Sequence, residues 1–278
     1  RLVIEAALVP EAVSINRAKS SLVLVEELIE EGWLDGEPIH EELIYQRARM
    51  ALAEGDVERA KELADSIKGG DSAFAQAAER LFVGDAVRRF DSLWQVEAHR
   101  GSYTPEIVRV AREVVQSGGA ALGSIGDTEA SEIDKQTQAL IVAVLMASAV
   151  LWEGDQDRSV VKEGRAFSAI ALTLAPKEPR VLRSAAVLAR ADNDSEQSLT
   201  LWRTLATGLD AETMAWYEAR FYQLDVLSNV DAGRAAQALR GHVVFYGPTM
   251  GPDPWGNRFL LLMRKLDVDI SGEEEDND

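Results

Sequence analysis

Histidine is the residue type best suited to acid–base catalysis or metal binding, and it is scarce in this chain. His40, His99 and His242 are the three histidines. They fall on three separate predicted elements. None belongs to an H-x-x-x-H or H-E-x-x-H pattern, in which two imidazoles share one helix face and can hold zinc. Each is interpreted as an ordinary helical histidine, and no metal ligand is predicted.

A glycine-rich stretch, GGAALGSIG at 118–126, has some likeness to a phosphate-binding loop. It lacks the Lys-Ser/Thr pair of a P-loop, its glycines miss the dinucleotide-binding spacing, and no strand precedes it. The stretch is therefore interpreted as a flexible hinge or linker.

Carboxylates and serines are abundant, but their patterns do not define a catalytic site. Acidic pairs such as those in EELIEE (26–31) suit solvated helix faces in a chain with 47 acidic residues. Acid–base catalysis needs a carboxyl group whose pKa is shifted in a cleft. No serine lies in the hydrolase pattern G-x-S-x-G. The chain is therefore predicted not to be an enzyme and to have no catalytic residue and no cofactor.

Composition and charge predict a soluble globular protein. The chain has 278 residues, 46% of them hydrophobic, which is enough for one large or two ordinary domains. Its formal net charge of −18 opposes binding to nucleic acid or to anionic membranes. It has no cysteine, which leaves a cytoplasmic or a periplasmic location open, and its composition is compatible with a bacterial source.

Helical periodicity dominates the chain, and no convincing strand pattern occurs. The longest apolar run, ALIVAVLMASAVLW (139–152), is too short to span a bilayer and is interpreted as a buried helix, so no membrane insertion is predicted. The fold class is therefore all-α. Apolar spacing and terminal Pro, Asp, Thr and Gly residues predict helices over 10–32, 40–55, 56–70, 71–101 (one helix or two, depending on Gly84), 104–119, 128–152, 157–174, 178–191, 195–207, 210–228, 232–246 and 255–266.

One segment carries the pattern of a helical repeat especially well. ALTLAPKEP (171–179) has a small-Leu-x-Leu-x-Pro ending, and a repeat of about 34 residues counted from there spans 179–212, with the polar turn DND at 192–194. The inward positions of its two helices are occupied by Leu182, Ala186, Ala189, Ser198, Trp202 and Leu205.

The same template fits 40–67 and 213–246 less closely. In 40–67, Ala48 and Ala60 take the small positions on either side of the Gly55–Asp56 turn. The chain thus resembles tetratricopeptide-repeat (TPR) proteins with degenerate repeats. The resemblance implies an array of antiparallel helical hairpins that forms a right-handed α-solenoid. The six tryptophans, almost one per predicted hairpin, are interpreted as fillers of helix–helix grooves rather than as ligand platforms.

The predicted helices fall into two lobes. Residues 1–116 form an N-terminal helical-hairpin lobe, and 128–246 form a C-terminal TPR-like lobe, with a Gly-rich linker or loop at 117–127. Residues 247–266 supply a turn and a capping helix, and 267–278 form an acidic tail. EAALVPEAV (5–13) repeats the Leu-x-Pro ending, so we expect Arg1 to lie inside the last helix of an earlier repeat.

The resemblance also indicates where a partner would bind. In the 179–212 unit, the positions that face the concave groove in this family include Arg180, Arg183 and Arg190. Three arginines on one helix face suit a carboxylate or an acidic peptide. The alternative is a solvated arginine face that pairs with nearby acids. The equivalent positions of the other two units add Tyr45, Arg49 and Tyr217.

The leading functional hypothesis is a non-enzymatic scaffold that holds a protein or peptide on its concave face. One alternative is a structural subunit of a homo-oligomer or larger assembly, since the 139–152 helix is very apolar for a thin solenoid. Another is the helical accessory domain of a longer enzyme.

Overall fold

A computed structural model of the protein describes residues 12–33, 37–67, 73–123, 133–247 and 249–268. The chain divides into two compact units, residues 1–85 and residues 86–278. In the described ranges the secondary structure is helical and no strand occurs. The all-α prediction is therefore confirmed.

The described residues form twelve α-helices and one short 3-10 helix, Arg158–Val160. The predicted 71–101 segment is a single helix that continues through Gly84. The α-helices are α1 (Ala12–Glu30), α2 (Glu37–Ala53), α3 (Val57–Ile67), α4 (Ala73–Glu97), α5 (Pro105–Leu122), α6 (Lys135–Asp155), α7 (Val161–Leu174), α8 (Pro179–Ala191), α9 (Ser195–Gly208), α10 (Met214–Val230), α11 (Ala232–Tyr246) and α12 (Trp255–Lys265).

The first unit depends on close contact between α2 and α3. Ala48 of α2 and Ala60 of α3 both have 0% exposure, because small side chains let the two helices approach. Between the helices Gly55 has a φ of 83°, and the Asp56 carboxylate accepts a hydrogen bond of 3.1 Å from the Arg59 backbone N–H. The predicted roles of Gly55 as helix stop and Asp56 as N-cap are confirmed.

The second unit is built around α6, which packs against α5, α7 and α8. All residues from Ala143 to Leu151 are buried, so the long apolar run is the centre of an apolar core. By length and composition alone, α6 is the one described helix that could cross a membrane. The burial of residues 143–151 in the core also accounts for this apolar composition.

The α8–α9 pair crosses closely. Ala186 and Ser198 are fully buried, and the Ser198 hydroxyl donates a 2.9 Å hydrogen bond to the Ala186 carbonyl. Trp202 and Leu205 are buried on the same helix as Ser198. After α9, the helices α10 to α12 share a second apolar cluster, in which α12 packs directly on α10.

The glycine-rich stretch differs from the predicted linker. α5 continues to Leu122, so residues 117–122 are helical. A Cβ atom at Gly118 would lie 2.5 Å from Val144 Cγ2, and one at Gly119 would lie 2.9 Å from Glu163 Oε1. These glycines permit close packing of α5. The division into compact units falls after Asp85 instead.

The three longest segments outside the described residues carry sequence predictions. They are 1–11, where an earlier repeat is expected to end, 124–132, the remainder of the predicted linker, and 269–278, most of the acidic tail.

Gly118→Ala should lower the free energy of unfolding by about 1–2 kcal/mol, because the new methyl group meets the buried Val144 side chain. Gly84→Ala is the matched control. A Cβ atom there has no neighbour within 4 Å, so the variant should be slightly stabilised, by up to about 1 kcal/mol, through helix propensity. Urea denaturation measures both. Equal stability of the two variants would contradict the packing role of Gly118.

Candidate functional site

The centre of the candidate site is a buried ion pair between Arg183 of α8 and Glu218 of α10. Arg183 is 3% exposed and Glu218 is 2% exposed. Arg183 Nε donates to both oxygens of the Glu218 carboxylate at 3.1 Å, and Nη2 donates to Oε1 at 2.6 Å. Removal of each ion from water costs roughly several kcal/mol, so such a pair needs well-formed hydrogen bonds around it.

Glu153 of α6 supplies a second carboxylate to the same guanidinium group. Its Oε2 accepts hydrogen bonds from Arg183 Nη2 at 3.0 Å and from the Tyr103 hydroxyl at 3.2 Å. Its Oε1 accepts one long hydrogen bond, at 3.4 Å, from the Tyr222 hydroxyl. Within the described residues, this oxygen is therefore only weakly satisfied.

The loop between α4 and α5, residues 98–104, lies against the ion pair. His99 Nδ1 makes a hydrogen bond with Glu218 Oε2. At the other end of the loop, the backbone N–H and the hydroxyl of Thr104 donate to the buried Glu97 carboxylate at 2.8 and 2.6 Å. The Thr104 side chain therefore anchors the loop, and it makes no capping hydrogen bond to α5.

The last helix, α12, holds this loop from the other side. Trp255 Nε1 donates to the His99 carbonyl at 2.9 Å. Arg258 donates to the Gly101 carbonyl and, at 3.2 Å, to the Tyr222 hydroxyl. Gly101 has a φ of 77°, and a Cβ atom there would lie 3.0 Å from Arg258 Nη2, so glycine suits this position on two counts.

These groups surround a cavity of about 300 Å³, which we call the deep cavity. Its volume is at the lower end of the range for small-molecule pockets, roughly 300–1,000 Å³. The charged groups of its wall are Arg183, Arg190, Arg258, Glu153 and Glu218. Its aromatic side chains are Tyr103, Trp152, Trp202 and Tyr222.

Two N–H groups of cavity-lining residues have no acceptor among the described residues. They are Nη1 of Arg183 and Nε1 of Trp202, and both atoms are buried. Trp202 has 0% exposure and stacks on the Tyr222 ring with 4.9 Å between centroids. A buried donor without an acceptor costs about 1–3 kcal/mol.

A second cavity of about 350 Å³, which we call the shelf, adjoins the deep cavity and shares Arg190, Tyr222 and Arg258 with it. The rest of its wall consists of Phe221, Asp225, Leu261, Leu262 and Lys265.

The shelf carries more positive than negative charge. Asp225 is its one lining carboxylate, and it pairs with Arg190 at 2.7 Å and with Lys265 at 3.8 Å. Arg258 adds a third cation, which hydrogen-bonds to neutral groups. Leu261 beside these charges is 61% exposed. The shelf is thus cationic with an exposed apolar side chain, in a chain whose net charge is −18.

Burial and charge determine the protonation states of the site. Burial by itself raises the pKa of Glu218, but the charge and hydrogen bonds of Arg183 outweigh burial and lower that pKa to about 2. Burial, together with nearby carboxylates, raises the pKa of Tyr103 and of Tyr222. At neutral pH Glu218 is therefore charged, and both phenols stay protonated and act as hydrogen-bond donors.

The site can bind through three kinds of group. Arg183 and Arg258 offer donors, Glu153 offers an acceptor, and Trp152 and Tyr222 offer aromatic faces. Among the described residues, no group of three or more His, Asp or Glu side chains is arranged to hold a metal ion. The arrangement suits a ligand with charged groups and an apolar body.

The three arginines predicted to bind a partner lie in different surroundings. Arg183 is buried in the ion pair, while Arg190 lines both cavities. The Arg180 guanidinium lies 5.5 Å from the centroid of the Trp94 ring and 3.7 Å from Asp91. Arg180 is not among the residues that line either cavity.

The three other predicted residues are not among the residues that line either cavity. Tyr217 is 6% exposed and makes an edge contact with Trp216 at 5.1 Å. Tyr45 and Arg49 belong to the first unit, where the Arg49 guanidinium lies 5.8 Å from the Tyr45 ring and donates to Gln46 at 3.2 Å.

The sequence interpretation missed Glu153, Glu218, Tyr222 and Arg258. Glu218 did carry a signal, because it is the one acidic residue in the aromatic segment MAWYEARFYQL. A carboxylate that helical spacing places among aromatic residues needs a cation as partner. Arg258 lies in the segment that the sequence predicts to be a capping helix, where no partner-binding residue is expected.

Comparisons with known proteins were made by family, by sequence and by structure. No family model, no curated protein and no solved structure matches the chain.

Glu218→Gln should lower the free energy of unfolding by about 3 kcal/mol at neutral pH, because it leaves Arg183 with one carboxylate partner, Glu153. Glu62→Gln is the control, since Glu62 is 69% exposed and its ion pair with Arg59 is worth less than about 1 kcal/mol. Guanidinium denaturation measures both variants. A loss equal to that of the control would contradict the central role of the pair.

The same variant should also change the acid response. The pKa of Glu218 is lowered in the folded chain from an ordinary 4.5 to about 2. Its stabilising contribution is therefore fully present above about pH 4.5 and is lost as the pH falls towards 2. In that interval the parent chain should lose stability more steeply than the glutamine variant. Parallel curves would show that the Glu218 charge contributes nothing.

Proposed function

We propose that the second unit is a non-enzymatic binding module that holds an acidic peptide segment of a partner protein on the shelf. The observation that carries this proposal is the surplus of cations, Arg190, Arg258 and Lys265 against Asp225, beside the exposed Leu261. In a chain of net charge −18, a local positive surface attracts acidic partners that the rest of the molecule repels.

A TPR-like architecture is part of the same proposal. The cavity-lining residues come mainly from alternate helices, α6, α8, α10 and α12. In an array of antiparallel hairpins, the first helices of successive hairpins lie side by side and line the concave face of a right-handed solenoid. The buried small residues Ala186, Ala189 and Ser198 at the α8–α9 crossing support this arrangement.

The cations that we propose to contact the partner differ from those predicted from the sequence. Arg183 is paired with Glu218 and Glu153 in the interior. Arg190 and Lys265 have side chains 42% and 51% exposed, so they can pair with a carboxylate of a peptide while the apolar part of the peptide contacts Leu261.

A fluorescein-labelled Glu-rich peptide with a single Leu should bind the full chain, and a matched Lys-rich peptide should not. The double variant Leu261→Ala/Lys265→Gln should weaken binding about tenfold, because it removes one charge and one apolar contact. Fluorescence anisotropy at several salt concentrations measures this, and binding should weaken with salt.

The matched control replaces an exposed apolar residue and an exposed lysine elsewhere in the second unit, Val96→Ala/Lys162→Gln. Its affinity for the Glu-rich peptide should equal that of the parent chain. Equal binding of the two peptides, or an equal loss in both double variants, would reject the shelf as a site for acidic peptides.

A second candidate function, a structural subunit of a homo-oligomer, is favoured by one observation. Val244 and Phe245 at the end of α11 are 81% and 82% exposed, and adjacent exposed apolar side chains are typical of protein contacts. If this surface joins two copies, light scattering after size exclusion should give a mass above 30.4 kDa that falls in Phe245→Ser. A constant monomer mass at all concentrations would exclude it.

A further inference from the structure

We propose that the deep cavity binds a small zwitterion of the α-amino acid class. The ligand would carry a carboxylate and an ammonium group close together, with a compact apolar side chain. This goes beyond peptide binding on the shelf. The two sites share Arg258, but the N–H donors of Arg183 and Trp202 and the carboxylate of Glu153 belong to the deep cavity alone.

The carboxylate is expected on the side of the cavity where N–H donors lack acceptors. Arg183 Nη1 and Trp202 Nε1 are buried without a partner in the described part of the chain. Both residues line the deep cavity, and the cationic Arg258 lines it as well. Two oxygen atoms on one carbon can accept from two such donors at once, as a carboxylate does from planar N–H groups.

The ammonium group is expected at Glu153. This side chain lines the deep cavity and is 16% exposed. Its Oε2 is occupied by Arg183 and Tyr103, but its Oε1 accepts only the long 3.4 Å hydrogen bond from Tyr222. A cationic donor in the cavity would complete the hydrogen bonds of this oxygen.

The balance of charge favours a ligand that carries both signs. The wall has three arginines and two glutamates, and Arg190 is already paired with Asp225 at 2.7 Å outside the deep cavity. An anion without an ammonium group would leave Glu153 Oε1 with only the long 3.4 Å hydrogen bond from Tyr222. A cation without a carboxylate would leave both buried N–H groups unpaired, which is unfavourable.

The size and the remaining walls fit the same class. A volume of about 300 Å³ holds a molecule the size of an amino acid and excludes a folded partner. Val187 and the rings of Trp152, Trp202 and Tyr222 provide apolar contact for a side chain.

The first test is isothermal titration calorimetry of the full chain with each of the common α-amino acids. At least one, with an apolar side chain, should bind. The best ligand is then compared with its analogue without the amino group and its analogue without the carboxylate. Each analogue should bind at least about tenfold more weakly, because each loses a charge-assisted hydrogen bond. Failure of every amino acid to bind, or equal binding of an analogue, would overturn the proposal.

The second test uses variants that remove one polar group each while keeping an aromatic ring or the size of the side chain. Trp202→Phe removes the indole N–H but keeps an aromatic ring, and it should weaken binding of the best amino acid about tenfold. Glu153→Gln should weaken it by a similar factor or more, through loss of the ammonium partner.

The matched control is Trp94→Phe, because Trp94 Nε1 is also buried without a partner but Trp94 does not line the cavity. Its affinity should match that of the parent chain. Unchanged binding in Trp202→Phe, or an equal loss in Trp94→Phe, would reject the assignment. The shelf variant Leu261→Ala/Lys265→Gln should leave amino acid binding unchanged, so the shelf and the deep cavity can fail independently.

Discussion

The charge of Arg183, buried between helices, is the constraint on which the second unit depends. A guanidinium group removed from water is tolerated only where carboxylates surround it, and here Glu218 comes from α10 and Glu153 from α6. His99 and Tyr103 add hydrogen bonds to Glu218 Oε2 and Glu153 Oε2, the oxygens that also accept from Arg183. One buried cation thus determines how three helices and the 98–104 loop are placed.

The same interaction leaves the protein with two adjoining regions of different character. The deep cavity is nearly balanced in charge, whereas the shelf is cationic and presents the exposed Leu261. Tyr222 belongs to both walls, with its ring stacked on Trp202 and the Arg190 guanidinium 5.5 Å from its centroid. A ligand in either region therefore contacts side chains that also form the wall of the other.

Local features of the fold could be predicted from the sequence, and contacts across the fold could not. Ala48 and Ala60 predict a close helix crossing, because small side chains at helical spacing form a pattern that is visible within a short stretch of sequence. The sequence predicts Gly118 to be part of a linker. In the fold, glycine suits this position because the Val144 side chain of another helix lies against it. Arg183 and Glu218 are 35 residues apart, and no local pattern states which helix will lie opposite.

The contacts made by α12 have a consequence for biosynthesis. Arg258 and Trp255 bind Gly101 and His99 across 157 and 156 residues of chain, so the 98–104 loop and the last described helix complete one wall together. Contacts at such separation form late, because the intervening chain must be ordered first. On the ribosome, the deep cavity stays unfinished until α12 has emerged from the exit tunnel.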